Sequence, residues 1–294
     1  MRYAPHERLV RPARAQSAPW RLVVGAVVVF AVQIGLVYAA FGVVTMLRGP
    51  DLAASIFESI FVSTLTASGA LWLLASFLFM IAGTLAATNL LHGRGLVSLT
   101  GPPTLAAAQF ARVLWALTLL YAVVWALLPT GLELAPKLGL GRWFALLPLA
   151  VPAILIQCSA EELFFRGYLQ QQLAARFRAP LVWIGLPAAL FAWGHYTPDM
   201  TGQNASAVAL WAGAFSVAAA DLTARSGTLG PAIALHFATN ASAILFVALP
   251  GPVSGLALYT HPMAADDPAL MPLLLVDLGV LFVSWLAARV ALRV

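Results

Sequence analysis

The sequence predicts an all-α, polytopic membrane protein with about eight transmembrane helices. Three observations predict it. Of 294 residues, 62% are hydrophobic and 9% charged, whereas soluble domains carry about 25% charged residues. The few charges stand between long uncharged runs. Several of those runs reach the roughly 20 residues a spanning helix needs. A soluble globular enzyme is excluded by the lack of surface charge, and a disordered chain by the excess of apolar residues.

The elements follow from the positions of the charges. The run 22–47 has 26 residues without Asp, Glu, Lys or Arg, too long for a signal-peptide core, and reads as a retained helix. The run 59–93 holds a helix near 67–91. Further runs are 113–132, 143–160, 179–198 and 200–220. Pro250, Gly251 and Pro252 break the run 226–265, which leaves a helix over about 229–249. The last helix, about 269–288, carries Asp277. Segments 49–58, 129–142 and 251–268 are rich in Gly, Pro and acid and read as loops.

Arg2, Arg8, Arg11, Arg14 and Arg21 precede the first apolar run. Basic residues gathered there place the N-terminus in the cytoplasm. Eight spans return Arg289 and Arg293 to the same side, and Arg94, Arg176, Arg178 and Arg225 fall there too. The net charge of +5 is thus a topology signal, and no nucleic-acid partner is expected; the lipid bilayer is. Cys158 is the single cysteine, so intrachain disulfides and CxxC chemistry are excluded.

Ionisable residues inside a membrane cost roughly 2.5–3.5 kcal/mol each on insertion scales, so their positions carry information. Ser159-Ala160-Glu161-Glu162-Leu163-Phe164-Phe165-Arg166 follows an uncharged run and reads as a continuing helix. Glu162 and Arg166 share a face at i, i+4, while Glu161 points about 100° away. Phe191 and His195 are one turn apart, as are His236 and Asn240. Turned toward one another, these residues of three helices make an intramembrane catalytic cavity. It holds a general-base candidate, proton-transfer partners and a donor for an oxyanion, which is what adding water to a carbonyl requires.

The motifs Glu161-Glu162-x-x-x-Arg166, Phe191-x-x-x-His195 and His236-x-x-x-Asn240 resemble the three signatures of the CPBP intramembrane proteases, also called the Abi or CAAX-protease-like family. The resemblance covers about 145–250 and includes the run Ser226-Gly227-Thr228-Leu229-Gly230-Pro231. It divides the chain into a cytoplasmic basic tail (1–21), transmembrane helices 1–3 (22–142), a catalytic core of helices 4–7 (143–250), and a loop with helix 8 (251–294). It implies an endopeptidase in which Glu161 activates water, Glu162 and Arg166 support it, and His195, His236 and Asn240 bind the water and stabilise the tetrahedral intermediate. The substrate would be a membrane-associated protein or peptide. In a bacterium the enzyme would sit in the cell membrane and process a peptide other than a prenylated tail.

The family has been classed both as metalloprotease and as glutamate protease. Glu161, His195 and His236 form the set that zinc would take. The helical zincin signature His-Glu-x-x-His is absent, which favours catalysis without a cofactor. A non-proteolytic membrane adaptor or immunity protein, binding a partner in the same cavity, is the alternative from another class. A transporter with a proton relay fits less well, because the polar residues are confined to the second half. Asp277, and Asp221 with Arg225 as an interfacial pair, stay outside the site. Cys158 reads as a small core residue.

One tension stands. Helix-rise arithmetic places Glu161 and His195 far from the cytoplasmic ends of their helices and His236 nearer. The three meet only if helices tilt, break or start elsewhere, for which Pro148, Pro152 and Pro187 offer places.

Overall fold

A computed structural model describes residues 3–61, 66–127, 133–251 and 253–294. The expected end of the third span, 128–132, and Pro252 lie outside the described residues. Among the described residues nine principal helices follow one another: α1 (Pro19–Arg48), α2 (Pro50–Phe61), α3 (Ala67–His92), α4 (Pro103–Ala126), α5 (Leu140–Glu162), α6 (Leu186–Gly194), α7 (Ala205–Ser226), α8 (Gly230–Ala241) and α9 (Met271–Leu292). The fold is the helical membrane bundle that composition predicts. Among the described residues six helical stretches are long and apolar enough to cross a membrane: Pro19–Arg48, Ala67–His92, Pro103–Ala126, Leu140–Arg176, Pro198–Ser226 and Pro268–Leu292. The remaining two of the eight expected, Leu181–Gly194 and Gly230–Phe246, are shorter.

The differences from the sequence reading have local causes. Segment 49–58, expected as a loop, is mostly α2. Pro50 stands at the helix start, where a missing N–H costs nothing, and Asp51 complements the positive helix end. The third span starts at Pro103, ten residues earlier than the uncharged run, and takes in Arg112 on an exposed position. A long arginine can carry its charge outward along an apolar face. Two expected loops contribute strands to a small sheet of order β1-β3-β2. In it Ala135–Pro136 (β1) pairs antiparallel with Tyr259–Thr260 (β3), and Val247–Ala248 (β2) pairs parallel with β3.

The helix bearing the first motif does not end there. After Glu162 it continues through a π-helical stretch, Leu163–Leu169, and then Gln170–Arg176. Most of its side chains from Leu163 to Leu173 are buried, and several hold neighbouring backbone. Gln170 donates to the Ala220 carbonyl (3.1 Å) and Gln171 to that of Leu99 (2.7 Å). The Tyr168 hydroxyl meets His92 Nε2 at 2.8 Å and donates to the Arg21 carbonyl at 3.2 Å.

This polar layer lies at the end of the bundle that carries both chain termini. Leu9, Val10 and Ala13 are buried there. The Tyr3 hydroxyl donates to Asp221 (2.8 Å), and Arg8 donates to the carbonyls of Ser226 and Gly227 (both 3.3 Å). Residues 3–16 are therefore a packed strap rather than a solvated tail. His6, against Trp183, is buried enough that its pKa falls to about 4, leaving it neutral at physiological pH.

The depth tension resolves through helix lengths. At about 1.5 Å per residue, Glu161 lies roughly 22 Å from Arg176, and His195 lies about as far from Leu181. α8 starts deep: Gly230 is buried, and a Cβ there would collide with the Ala106 carbonyl of α4. The preceding Leu229 N–H is taken by the Thr100 carbonyl (3.0 Å). Six residues of α8 thus suffice to bring His236 level with Glu161.

Asp221 and Arg225 pair as expected at i, i+4 (2.8 Å), and the pair lies inside the protein, with side chains 7% and 8% exposed. The pair is buried because the strap and Trp285 of α9 cover it; Trp285 Nε1 donates to Asp221 at 3.0 Å. Removing one partner of a buried pair leaves an uncompensated charge and costs about 3–5 kcal/mol. Asp221→Ala should therefore lower the thermal unfolding midpoint in detergent clearly. The double variant with Arg225→Met should lose less than the two single losses added.

Candidate active site

α5, α6 and α8 deliver the motif residues. Glu161 and Glu162 close the α-helical part of α5, directly before the π-helical stretch, and Asn240 lies two residues before a second one, Ser242–Phe246. Such wide turns recur at functional sites. They are compatible here with the prolines upstream, Pro148 and Pro152, which already interrupt the hydrogen-bond ladder of α5.

The two adjacent carboxylates are in different situations. Glu162 is fully buried. Its Oε1 accepts from Arg166 Nη1 at 2.9 Å and from His236 Nδ1 at 2.8 Å. Glu161 is 14% exposed, and His236 Nε2 lies 3.7 Å from its Oε2. That separation is too long for a hydrogen bond. With Nδ1 donating to Glu162, the second nitrogen of His236 is turned toward Glu161. The histidine thus bridges a bound carboxylate and an unengaged one.

Arg166 is 1% exposed, and three rings enclose its guanidinium. Those of Phe165, Phe191 and Phe215 lie 5.8, 5.1 and 5.6 Å from Cζ, within cation–π range. Phe215 also meets the His236 ring edge-on at 4.7 Å. Phe191 carries the second motif into this cage. His195 stacks on Phe191 at 4.4 Å, and its Nδ1 lies 2.8 Å from the Phe191 carbonyl. His195 itself is exposed, at the rim rather than against the carboxylates.

Asn240, one turn beyond His236, donates from Nδ2 to Gln157 Oε1 at 2.8 Å. Gln157 escaped the sequence reading, although its signal was available: an amide in an apolar run, one turn before Glu161. Phe215 carried no signal, being one aromatic among many in an uncharged helix. Cys158 is buried in an apolar cluster, its Sγ 3.3 Å from Gln157 Oε1.

A zinc site of the kind the resemblance allowed needs three donors within about 2 Å of one point. Glu161 and His236 approach each other, but His195 is turned to its own helix. Among the described residues no group of three or more His, Cys, Asp or Glu is arranged to hold a metal ion. The donor set does not fit zinc as placed. Asp277 lies on α9, which carries no motif residue. A groove of about 760 Å³ between α7 and α9 is lined by Val217, Leu278, Phe282 and others and includes none of the motif residues.

Residues 142–242 match the family model described as Type II CAAX prenyl endopeptidase Rce1-like. The match spans all three motifs and bears out the resemblance to the CPBP, or CAAX-protease, family; over this stretch the chain is similar to membrane proteases, which are hydrolases. No curated protein and no solved structure matches the chain.

The geometry predicts opposite outcomes for neighbouring carboxylates. Glu162→Gln weakens the hold on a buried arginine and a histidine together, and should destabilise the protein by about 3 kcal/mol. Glu161 Oε2 has no hydrogen-bond partner to lose, so Glu161→Gln should stay within about 0.5 kcal/mol of the parent. Thermal unfolding of both variants in the same detergent checks the contrast.

Proposed function

We propose that the protein is an intramembrane endopeptidase in which Glu161 activates the attacking water. The observation that supports this reading best is the division of labour between the carboxylates. Glu162 is spent on Arg166 and His236, while Glu161 is unengaged, partly accessible and 3.7 Å from the free nitrogen of His236. A water within reach of both groups would give its proton to Glu161 as its oxygen attacks the scissile carbonyl.

The developing oxyanion needs donors already in place. Asn240 is the candidate already in place; His195 stands at the rim with its Nδ1 donating to the Phe191 carbonyl, and would donate from Nε2 only as the imidazolium. Glu161 then returns the proton to the leaving nitrogen, the C–N bond breaks, and a new carboxylate and a new amine leave. Arg166, held in its aromatic cage, fixes Glu162 in place, and Glu162 keeps His236 oriented throughout.

The substrate is a membrane-associated protein or peptide, unwound so that its backbone reaches the carboxylate. In this reading the end of the bundle with both termini faces the cytoplasm, because the arginines of the strap and of α9 collect there. In a bacterial host the membrane would be the cell membrane.

The test compares new protein and peptide N-termini in cells carrying the parent protein or Glu161→Ala at equal expression. Loss of a general base costs about 10²–10⁴ in rate, so parent-dependent termini should vanish in Glu161→Ala. Asn240→Ala removes one oxyanion donor, worth about 10²–10³, and should leave measurable residual cleavage. Identical profiles would instead support a non-catalytic partner-binding protein. Chelators should change the rate less than about twofold; abolition by 1,10-phenanthroline with rescue by zinc would place a metal in the reaction.

A further inference from the structure

Gln157 and Asn240 form an amide pair. A carboxamide presents an acceptor at one end and two donors at the other. Two contacts converge on Gln157 Oε1: Asn240 Nδ2 donates to it at 2.8 Å and the Cys158 thiol lies 3.3 Å away. One Nδ2 hydrogen of Asn240 is thus engaged by Gln157. The other has the Cys158 sulfur, a weak acceptor, as a neighbour.

The position matters because of where the pair sits. Gln157 is one turn before Glu161 on the same face of α5, and Asn240 is one turn after His236 on α8. The pair therefore spans the two helices that carry the base and its histidine. Gln157 is 7% exposed, so water competes little for the bond. Other contacts also hold α5 to α8 and the stretch after it: Glu162 with His236 at 2.8 Å, and Trp143 Nε1 with the Leu245 carbonyl at 2.7 Å. The amide bond is not needed merely to keep the helices together.

We propose that Gln157 is a positioning residue of the hydrolytic site, holding the Asn240 amide so that its second Nδ2 hydrogen is aimed at the developing oxyanion. This rests on the endopeptidase reading above. Gln157 acts only through Asn240, and that is its distinguishing property. Interactions routed through one residue do not add. A residue that merely packs would lower the amount of folded protein and would do so whatever stood at 240.

The experiment measures the initial rate at which parent-dependent new N-termini accumulate in membranes, normalised to folded protein by thermal unfolding. It uses the parent, Gln157→Met, Asn240→Ala and the double variant, with Glu161→Ala as zero. Methionine keeps the length and volume of glutamine and removes the acceptor. Gln157→Met should be slower by about tenfold, a part of what an oxyanion donor is worth, with its unfolding midpoint nearly unchanged. The double variant should be no slower than Asn240→Ala within about twofold.

A Gln157→Met rate equal to the parent overturns the proposal. So does a double variant slowed by the product of the single effects, or a loss that follows the loss of folded protein. If the parent and Glu161→Ala give the same termini, the endopeptidase reading itself fails and the role assigned to Gln157 falls with it. That result is distinct from cleavage that depends on Glu161 and is indifferent to Gln157.

Discussion

A single carboxylate oxygen, Glu162 Oε1, receives both Arg166 and His236, and the rest of the site depends on that shared bond. Arg166 is almost completely enclosed among three phenylalanines, and Glu162 is its counter-ion. The ion pair fixes the helix of the first motif, and the second bond to the same oxygen fixes α8 against it. His236 is thereby turned so that its other nitrogen faces Glu161. Two neighbouring glutamates in sequence become one structural and one unengaged group.

The architecture around this bond is built to set depth. α5 runs on for fourteen residues beyond Glu162 into a layer of glutamines, a tyrosine and the N-terminal strap. α8 starts inside that layer because Gly230 lets it lie against the backbone of α4. A residue with a side chain at this position would push α8 away from α4 and shift His236 relative to Glu162. Site geometry at the middle of the bundle is therefore controlled by packing at one end. The strap takes part in that packing through Leu9, Val10 and Arg8, and Arg8 reaches the turn that leads into α8.

Much of this was legible in the sequence, and for physical reasons. Charges are costly in a bilayer, so Glu161, Glu162, Arg166, His236 and Asn240 stand out against apolar helices, and i, i+4 spacing assigns them to faces. Helix rise also revealed the depth conflict. Its resolution was not legible, because the start of α8 depends on a glycine contact with a distant helix. The strap looked like a topology signal, since its arginines dominate its composition and its buried Leu9, Val10 and Ala13 have no periodic run around them. Strands of two residues, such as Val247–Ala248, carry no pattern to read. Gln157 was visible as a residue type, but its partner emerges only when α5 and α8 are side by side.

The most direct test of the division between the carboxylates is chemical labelling that needs no substrate. The detergent-solubilised protein is treated with a small water-soluble carbodiimide and an amine, and modified residues are located by peptide fragmentation. Modification of Glu161 in preference to Glu162, with Glu162→Gln alone leaving the Glu161 label in place, is the predicted result. Preferential modification of Glu162, or equal modification of both, would contradict the assignment of Glu162 to the buried network and of Glu161 to the reaction.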